Sequence, residues 1–434
     1  MVIQMNGTLV ALAFVLLFVL LFMGVPIGTS LGIPVAILVA ATQITSFEYI
    51  AQFLYTKIAD FTMLSLPFFL LAGDIMDGGG LSKRMVAVAN SLIGNVTGAL
   101  GAVTVIACMF FGAVSGSAPA TVAAIGTIMI PQMVYDGYDK GYAVGLVCVA
   151  GGLGIIVPPS FPMVLYGVTN GVSIGDMFLA GWGPSFVVGG VLIFINWLIC
   201  KKRGYKSPIP KETSLKLFVK SVWEGKWALL MPIIILGGIY SGAFSPTEAG
   251  VVSCVYGLIV GLFLYKELDY KKILPMFKSK VNFLGGMMFC FAPAGALGAV
   301  FAYLGYTTVI KNFFLNISSN PYIIVLLIYA FLFVAGMFVQ TAPIIVIISP
   351  LLLPVAEAVG IDPVHFGIII TLALAVAFVT PPVAYNLFVG ASMSGMSIDK
   401  ISKAAIPFIV GLVLAEIIVG FVPQISMLPV NLFG

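Results

Sequence analysis

Residues 151–160 read GGLGIIVPPS, with two adjacent prolines inside an apolar stretch that would otherwise form one long helix. In a helix interior each proline removes a hydrogen bond, clashes with the preceding turn and costs about 3 kcal/mol. The same break recurs. Residues 131–167, PQMVYDGYDKGYAVGLVCVAGGLGIIVPPSFPMVLYG, lie over residues 354–390, PVAEAVGIDPVHFGIIITLALAVAFVTPPVAYNLFVG, without a gap at a constant offset of 223 (354 against 131). Pro131 meets Pro354, Gly137 meets Gly360, Asp139 meets Asp362, Pro158 and Pro159 meet Pro381 and Pro382, and Gly167 meets Gly390. With one residue inserted, GVSI from Gly171 meets GMSI from Gly395. The matches are mostly punctuation residues, as expected when two halves of a duplicated chain share backbone geometry.

Upstream of each block stands a second matching feature, GAVSGSAP at 112–119 and GMFVQTAP at 336–343. Both are small, hydroxyl-bearing and flanked by apolar runs. They read as tips of re-entrant hairpins, because a turn at membrane depth must be buried in protein or face a water-filled cavity. Helix-packing small residues are the plainer alternative for either tip alone; two tips at equivalent places favour the hairpins.

The composition puts these features in a membrane. Of the 434 residues, 61% are hydrophobic and 8% charged, the mean hydropathy is +1.17, and a soluble domain carries about 25% charged residues. Apolar runs recur at 8–23, 99–111, 143–168, 179–200, 228–240, 249–265, 281–305, 322–353, 366–393 and 404–422. Several are too short for a clean span of about 20 residues and others far too long, which suits broken and re-entrant helices. The expected fold class is therefore an all-α integral membrane protein. Its first repeat covers 1–200, with a hairpin at about 99–131 and a broken helix at about 143–168. A basic loop covers 201–226, and the second repeat covers 227–434, with a hairpin at about 322–354 and a broken helix at about 366–393.

Charge orients the halves. Eight of the 20 basic residues lie between Lys201 and Lys226 and five between Lys266 and Lys280, so the positive-inside rule makes both stretches cytoplasmic. One span separates Asp176 from the first of them, which puts Asp176 outside, whereas its counterpart region carries Lys400 and Lys403 and belongs inside. Equivalent positions on opposite faces mean an inverted repeat. By the same count both termini are outside. The run at 8–23 has no basic residue before it, the first being Lys57, and no A-x-A cleavage pattern follows, so it reads as a retained helix.

Much chemistry is missing. The single histidine, His365, and five cysteines, never closer than 36 residues (Cys254 to Cys290), offer no CxxC, HExxH or zinc spacing. No GxxxxGK[ST] loop exists, and Gly78-Gly79-Gly80 reads as a hinge. A nucleic-acid module is not indicated, and no paired nucleophile and base suggests an enzyme. Inverted halves with discontinuous helices are instead the architecture of secondary transporters, in which freed carbonyls coordinate cations. Sodium needs neutral hard oxygens, and the hydroxyls of Ser115, Ser117 and Thr341, with main chain at 154–159 and 377–382, supply them. Asp74 and Glu248 are candidates for an intramembrane relay or for helix capping. Glu416 reads as a packing residue and His365 as a helix-start residue. The two arginines, Arg84 and Arg203, lie outside the repeat blocks.

Taken together, FGAVSGSAPATVAAIGTIMIPQM, GIIVPPS, GAFSPTEAG, GIDPVHFG, VTPP and LSLPFFLLAGDIM resemble the large membrane subunit of tripartite ATP-independent periplasmic (TRAP) transporters, over essentially the whole chain. The resemblance implies an elevator-type, multi-pass transporter of the bacterial inner membrane, driven by a sodium gradient and carrying an organic acid such as a C4-dicarboxylate or a sialic acid. It implies two partners, a small four-helix membrane subunit and a periplasmic substrate-binding protein, with Na+ as coupling ion and no organic cofactor. Carried onto this sequence, the first sodium site is Ser115, Ser117, Gly154, Val157 and Pro159. Symmetry places a second at Gln340, Thr341, Ala377, Thr380 and Pro382. A substrate carboxylate between the tips would meet Ser117, Thr121, Thr341 and Asn386. The competing readings are a stand-alone sodium-coupled anion carrier and an ion channel.

Overall fold

In the computed structural model residues 2–59, 61–93, 96–205 and 215–434 are described. All their regular structure is helical. The first half runs α1 (Val2–Phe22), α2 (Ile27–Thr42), α3 (Phe47–Ile58), α4 (Ser65–Gly78), α5 (Leu81–Leu92), α6 (Ala99–Ser115), α7 (Ala118–Tyr135), α8 (Lys140–Ala150), the one-turn α9 (Leu153–Ile156), α10 (Phe161–Asn170) and α11 (Ile174–Arg203). The second runs α12 (Leu215–Tyr240), α13 (Pro246–Ile259), α14 (Tyr270–Tyr303), α15 (Tyr306–Ile317), α16 (Pro321–Phe338), α17 (Thr341–Ala358), α18 (Pro363–Ala377), α19 (Tyr385–Ser394), α20 (Ile398–Phe421) and α21 (Gln424–Phe433). Among the described residues nine helical stretches are long and apolar enough to cross a membrane. A tenth candidate is the pair Tyr306–Ile317 and Pro321–Met337, bent by 118°.

The punctuation shared by the two blocks does the same local work in each. Gly137 and Gly360 both take left-handed φ, 87° and 81°, which a side chain at either position would strain. Asp139 and Asp362 then cap the next helix, accepting from the Tyr142 and Val364 N–H at 2.8 and 2.7 Å. Gly171 and Gly395 end α10 and α19 in the αL conformation. The peptides Pro158–Pro159 and Pro381–Pro382 are both cis.

Packing between the halves is reciprocal. α7 packs on α19 while α17 packs on α10, and α8 packs on α20 while α18 packs on α11. A β-carbon on Gly152 would sit 3.7 Å from that of Ala375, its repeat equivalent. Equivalent residues meet each other only at a two-fold axis, so a pseudo-two-fold runs between the two broken helices.

The basic stretches differ from the expected loops. Lys201, Lys202 and Arg203 form the last turn of α11, Lys216, Lys220 and Lys226 ride on α12, and Lys271 to Lys280 open α14. Lysine and arginine are good helix formers and favour a helix C-terminus, so charge alone does not make a loop. The middle of the expected 201–226 loop, residues 206–214, lies outside the described residues. α7 runs on to Tyr135 and α17 to Ala358, past the expected hairpin ends at 131 and 354.

Candidate functional site

The first tip closes on itself through neutral oxygens. α6 ends at Gly116, whose left-handed φ of 58° turns the chain within one residue, and its N–H returns to Gly112 O at 3.1 Å. Ser117 is extended and starts α7, and Pro119 in the first turn loses no helical bond. The Ser115 and Thr121 hydroxyls lie 3.0 Å apart. Thr121 Oγ1 donates to Ser117 O at 2.8 Å, and the Ser117 N–H reaches Ser115 Oγ at 3.4 Å.

The break in the first long helix packs directly against this tip. Every residue from 151 to 160 is buried. The Phe161 N–H donates to Gly116 O at 3.2 Å. A β-carbon on Gly112 would lie 3.0 Å from Gly154 Cα, one on Gly154 would lie 2.6 Å from Ser117 O and against the Thr121 hydroxyl, and one on Gly116 would lie 3.1 Å from Pro159 O. Ser115, Ser117, Thr121, Gly154 and Pro159 are thus brought together, and Gly154 leaves a cradle that any side chain would fill. Val157 stands in the same buried break, its N–H on Leu153 O at 2.9 Å. From the other side Gly73 of α4 allows Ser115 in, with 3.2 Å from its notional β-carbon to Ser115 Cα.

Proline chemistry determines which carbonyls are open. Pro158 and Pro159 have no N–H for the carbonyls four residues earlier, Gly154 and Ile155. Ile155 O is taken by the Ser160 hydroxyl at 2.5 Å and Ile156 O by the Ser185 hydroxyl at 3.2 Å. Freeing is therefore selective, and Gly154, beside the tip, keeps the open oxygen. The donor set of hydroxyls and carbonyls fits a hard monovalent cation at a broken helix. Among the described residues no three His, Cys, Asp or Glu side chains gather to hold a metal.

The second tip repeats the scaffold but not the closure. A β-carbon on Gly336 would overlap the Ala377 side chain, as Gly112 approaches Gly154 in the first half, and the Val383 N–H donates to Met337 O at 3.3 Å. Thr341, 9% exposed, starts α17. Gln340 and Pro382, however, are exposed, and the Gln340 side chain makes no capping bond. Val339 and Gln340, both extended, stand where the first tip turns at Gly116. Ala377 O already accepts the Thr380 N–H at 3.2 Å, and the Thr380 hydroxyl is turned to Val376 O at 2.9 Å. Of the substrate candidates, Ser117 and Thr121 belong to the first cluster. Asn386, fully buried, gives its Nδ2 to Cys148 O at 2.9 Å.

The carboxylates of Glu248 and Asp74 have structural partners. Glu248 forms a capping box with Ser245, and Asp74 Oδ1 meets Lys280 Nζ at 3.0 Å. The Glu416 main-chain carbonyl accepts from the Tyr329 hydroxyl at 2.9 Å. His365 Nδ1 lies 2.7 Å from Ser426 Oγ. Arg84 pairs with Glu267 at 2.7 Å and stacks on Tyr265, while Arg203 reaches the Tyr205 hydroxyl. The Asp74–Lys280 pair and the Ser160 and Ser185 hydroxyls escape sequence reasoning; only the serine directly after Pro158-Pro159 gives a local signal. A cavity of about 490 Å³ between the α10–α11 and α12–α13 turns is lined by no residue of either tip.

Residues 14–425 match the family described as the tripartite ATP-independent periplasmic transporter, DctM component. The chain is 39% identical over 392 residues to the isethionate TRAP transporter permease protein DctMQ of Oleidesulfovibrio alaskensis, covering 90% of this chain but 61% of that protein's length. It is 37% identical to the C4-dicarboxylate TRAP transporter large permease protein DctM of Pseudomonas aeruginosa, covering 86% of this chain and 87% of that one. To the sialic acid TRAP transporter large permease protein SiaM of Vibrio cholerae it is 36% identical, with 90% and 91% covered. The Alcanivorax borkumensis YdaH transporter, whose crystal structure has an unusual topology, shares the fold at a TM-score of 0.60 and 16% identity, covering 86% of this chain and 88% of that one.

Proposed function

This chain belongs to the DctM component family of tripartite ATP-independent periplasmic transporters, multi-pass proteins of the bacterial inner membrane, and from that premise we propose that it carries an organic acid inward in symport with sodium. The closed first tip carries the reading. The Ser115 and Thr121 hydroxyls and the Gly154 and Pro159 carbonyls offer neutral oxygens around the cradle at Gly154, and a monovalent cation needs no carboxylate there. The named relatives take isethionate, C4-dicarboxylates and sialic acid, so the substrate class is a small organic acid, held between the tips by Ser117, Thr121 and Thr341. The partners are a small membrane subunit and a periplasmic binding protein that delivers the substrate. The two halves act as inverted repeats with re-entrant hairpins, and the hairpins and broken helices move together as an elevator body.

Reconstitution with both partners tests the reading. Uptake into liposomes should saturate, require loaded binding protein and collapse without an inward sodium gradient. Sodium-independent uptake would overturn the coupling. Uptake of free substrate at full rate would mark a stand-alone carrier, and flux that never saturates a channel.

A further inference from the structure

Asn386 occupies an unusual place in the hydrogen-bond pattern of the two breaks. Phe378 O at the end of α18 has lost its normal donor, because the residue four places on is Pro382. The Asn386 N–H replaces that donor at 3.0 Å. Cys148 O in the last turn of α8 is orphaned too, since the Gly152 N–H donates to Val149 O instead. The Asn386 side chain supplies that bond, Nδ2 to Cys148 O at 2.9 Å, across 238 residues of sequence. One fully buried residue thus satisfies a helix-end carbonyl in each half. The first half has no such bridge: Ile155 O, equivalent to Phe378 O, is capped by the Ser160 hydroxyl, and the position equivalent to Ser160 is Val383, which has none.

We infer that Asn386 is a positioning residue that couples the two breaks, so that an ion held at one favours the geometry that binds an ion at the other. The inference rests on the sodium-symport reading above. Its route is short. α8 leads through Gly151 and Gly152 into Gly154 beside the first tip, and α18 ends at Ala377 and Phe378 beside the second. A shift of either helix end stretches or relaxes a bond to the same residue, and a coupling of this kind is reciprocal.

The test measures uptake against sodium concentration in the complete reconstituted transporter, for wild type, Asn386→Leu and Asn386→Ser, with thermal unfolding of each purified protein. Leucine keeps the volume and removes the donor; serine is small and too short to reach, and it answers if the leucine protein does not fold. Wild type should respond sigmoidally. Both variants should respond less steeply than wild type, with a lower apparent Hill coefficient and the sodium concentration for half-maximal uptake raised about fivefold or more. A purely structural role would lower the amount of folded protein and leave the sigmoid unchanged, and that result overturns the inference. A hyperbolic wild type also overturns it, leaving one coupled ion and nothing to couple. Wild-type uptake indifferent to sodium instead defeats the symport reading itself.

Discussion

The Ser115 hydroxyl holds the tip turn against Thr121, and in the proposed symport it also offers an oxygen to the ion. Hydrogen bonds and contacts to charged groups are worth about 1.5–3 kcal/mol, so Ser115→Ala should raise the half-saturating sodium concentration about tenfold or more while the protein still folds. Thr380→Val is the contrasting variant. The Thr380 hydroxyl is turned to Val376 O and any ion contact there is main chain, so its sodium dependence should stay within about twofold of wild type. Equal sodium curves for Ser115→Ala and wild type would remove Ser115 from the site. At this scale the sequence was legible wherever backbone geometry dictates residue type. Gly116 had to accommodate positive φ, and the paired prolines had to free carbonyls. Contacts made by folding stayed hidden, because Ser185 lies 29 residues from Ile156 O and Asn386 lies 238 from Cys148 O. No local pattern records such distances.

At the scale of elements, the repeated Gly, Asp and Pro marked where helices start and stop, and the helix ends at both tips and both breaks fall beside those marks. The short helices α3, α5 and α15 did not stand out as apolar runs, because each mixes polar and apolar faces over 12 residues. α5 is tied down by charge instead. Lys83 and Arg84 hold Glu267 of the α13–α14 turn at 3.2 and 2.7 Å. Burial pushes the Glu267 carboxyl up, but Arg84 and Lys83 outweigh it and leave its pKa below the ordinary glutamate value. A lowered folded-state pKa means that the stabilisation is complete above the unfolded value, about 4.3, and is lost as pH falls through the lower folded value. Glu267→Gln should therefore cost about 1 kcal/mol at pH 7, as befits a partly exposed cluster. The gap to wild type in thermal unfolding should persist at pH 5 and close only in stronger acid. A gap that is absent at pH 7, or gone by pH 6, would show that the cluster does not anchor α5.

Over the whole molecule, the reciprocal packing and the meeting of Gly152 with Ala375 place an axis between the broken helices, a relation the offset of 223 implied but could not locate in space. If hairpins and broken helices travel as one body, this axis lies inside it and its two sides never separate. A Gly152→Cys and Ala375→Cys pair tests the point. The notional β-carbon of Gly152 is 3.7 Å from the Ala375 β-carbon, within the separation of about 3.5–4.5 Å that a disulfide requires. In a background with Cys108, Cys148, Cys200, Cys254 and Cys290 replaced, the pair should oxidise readily. The cross-linked transporter should retain most of its sodium-driven uptake, since the bond joins parts that move together. If oxidation stops transport and reduction restores it, the two breaks must move apart during the cycle, and the one-body elevator gives way to a mechanism in which the halves rock against each other across this axis.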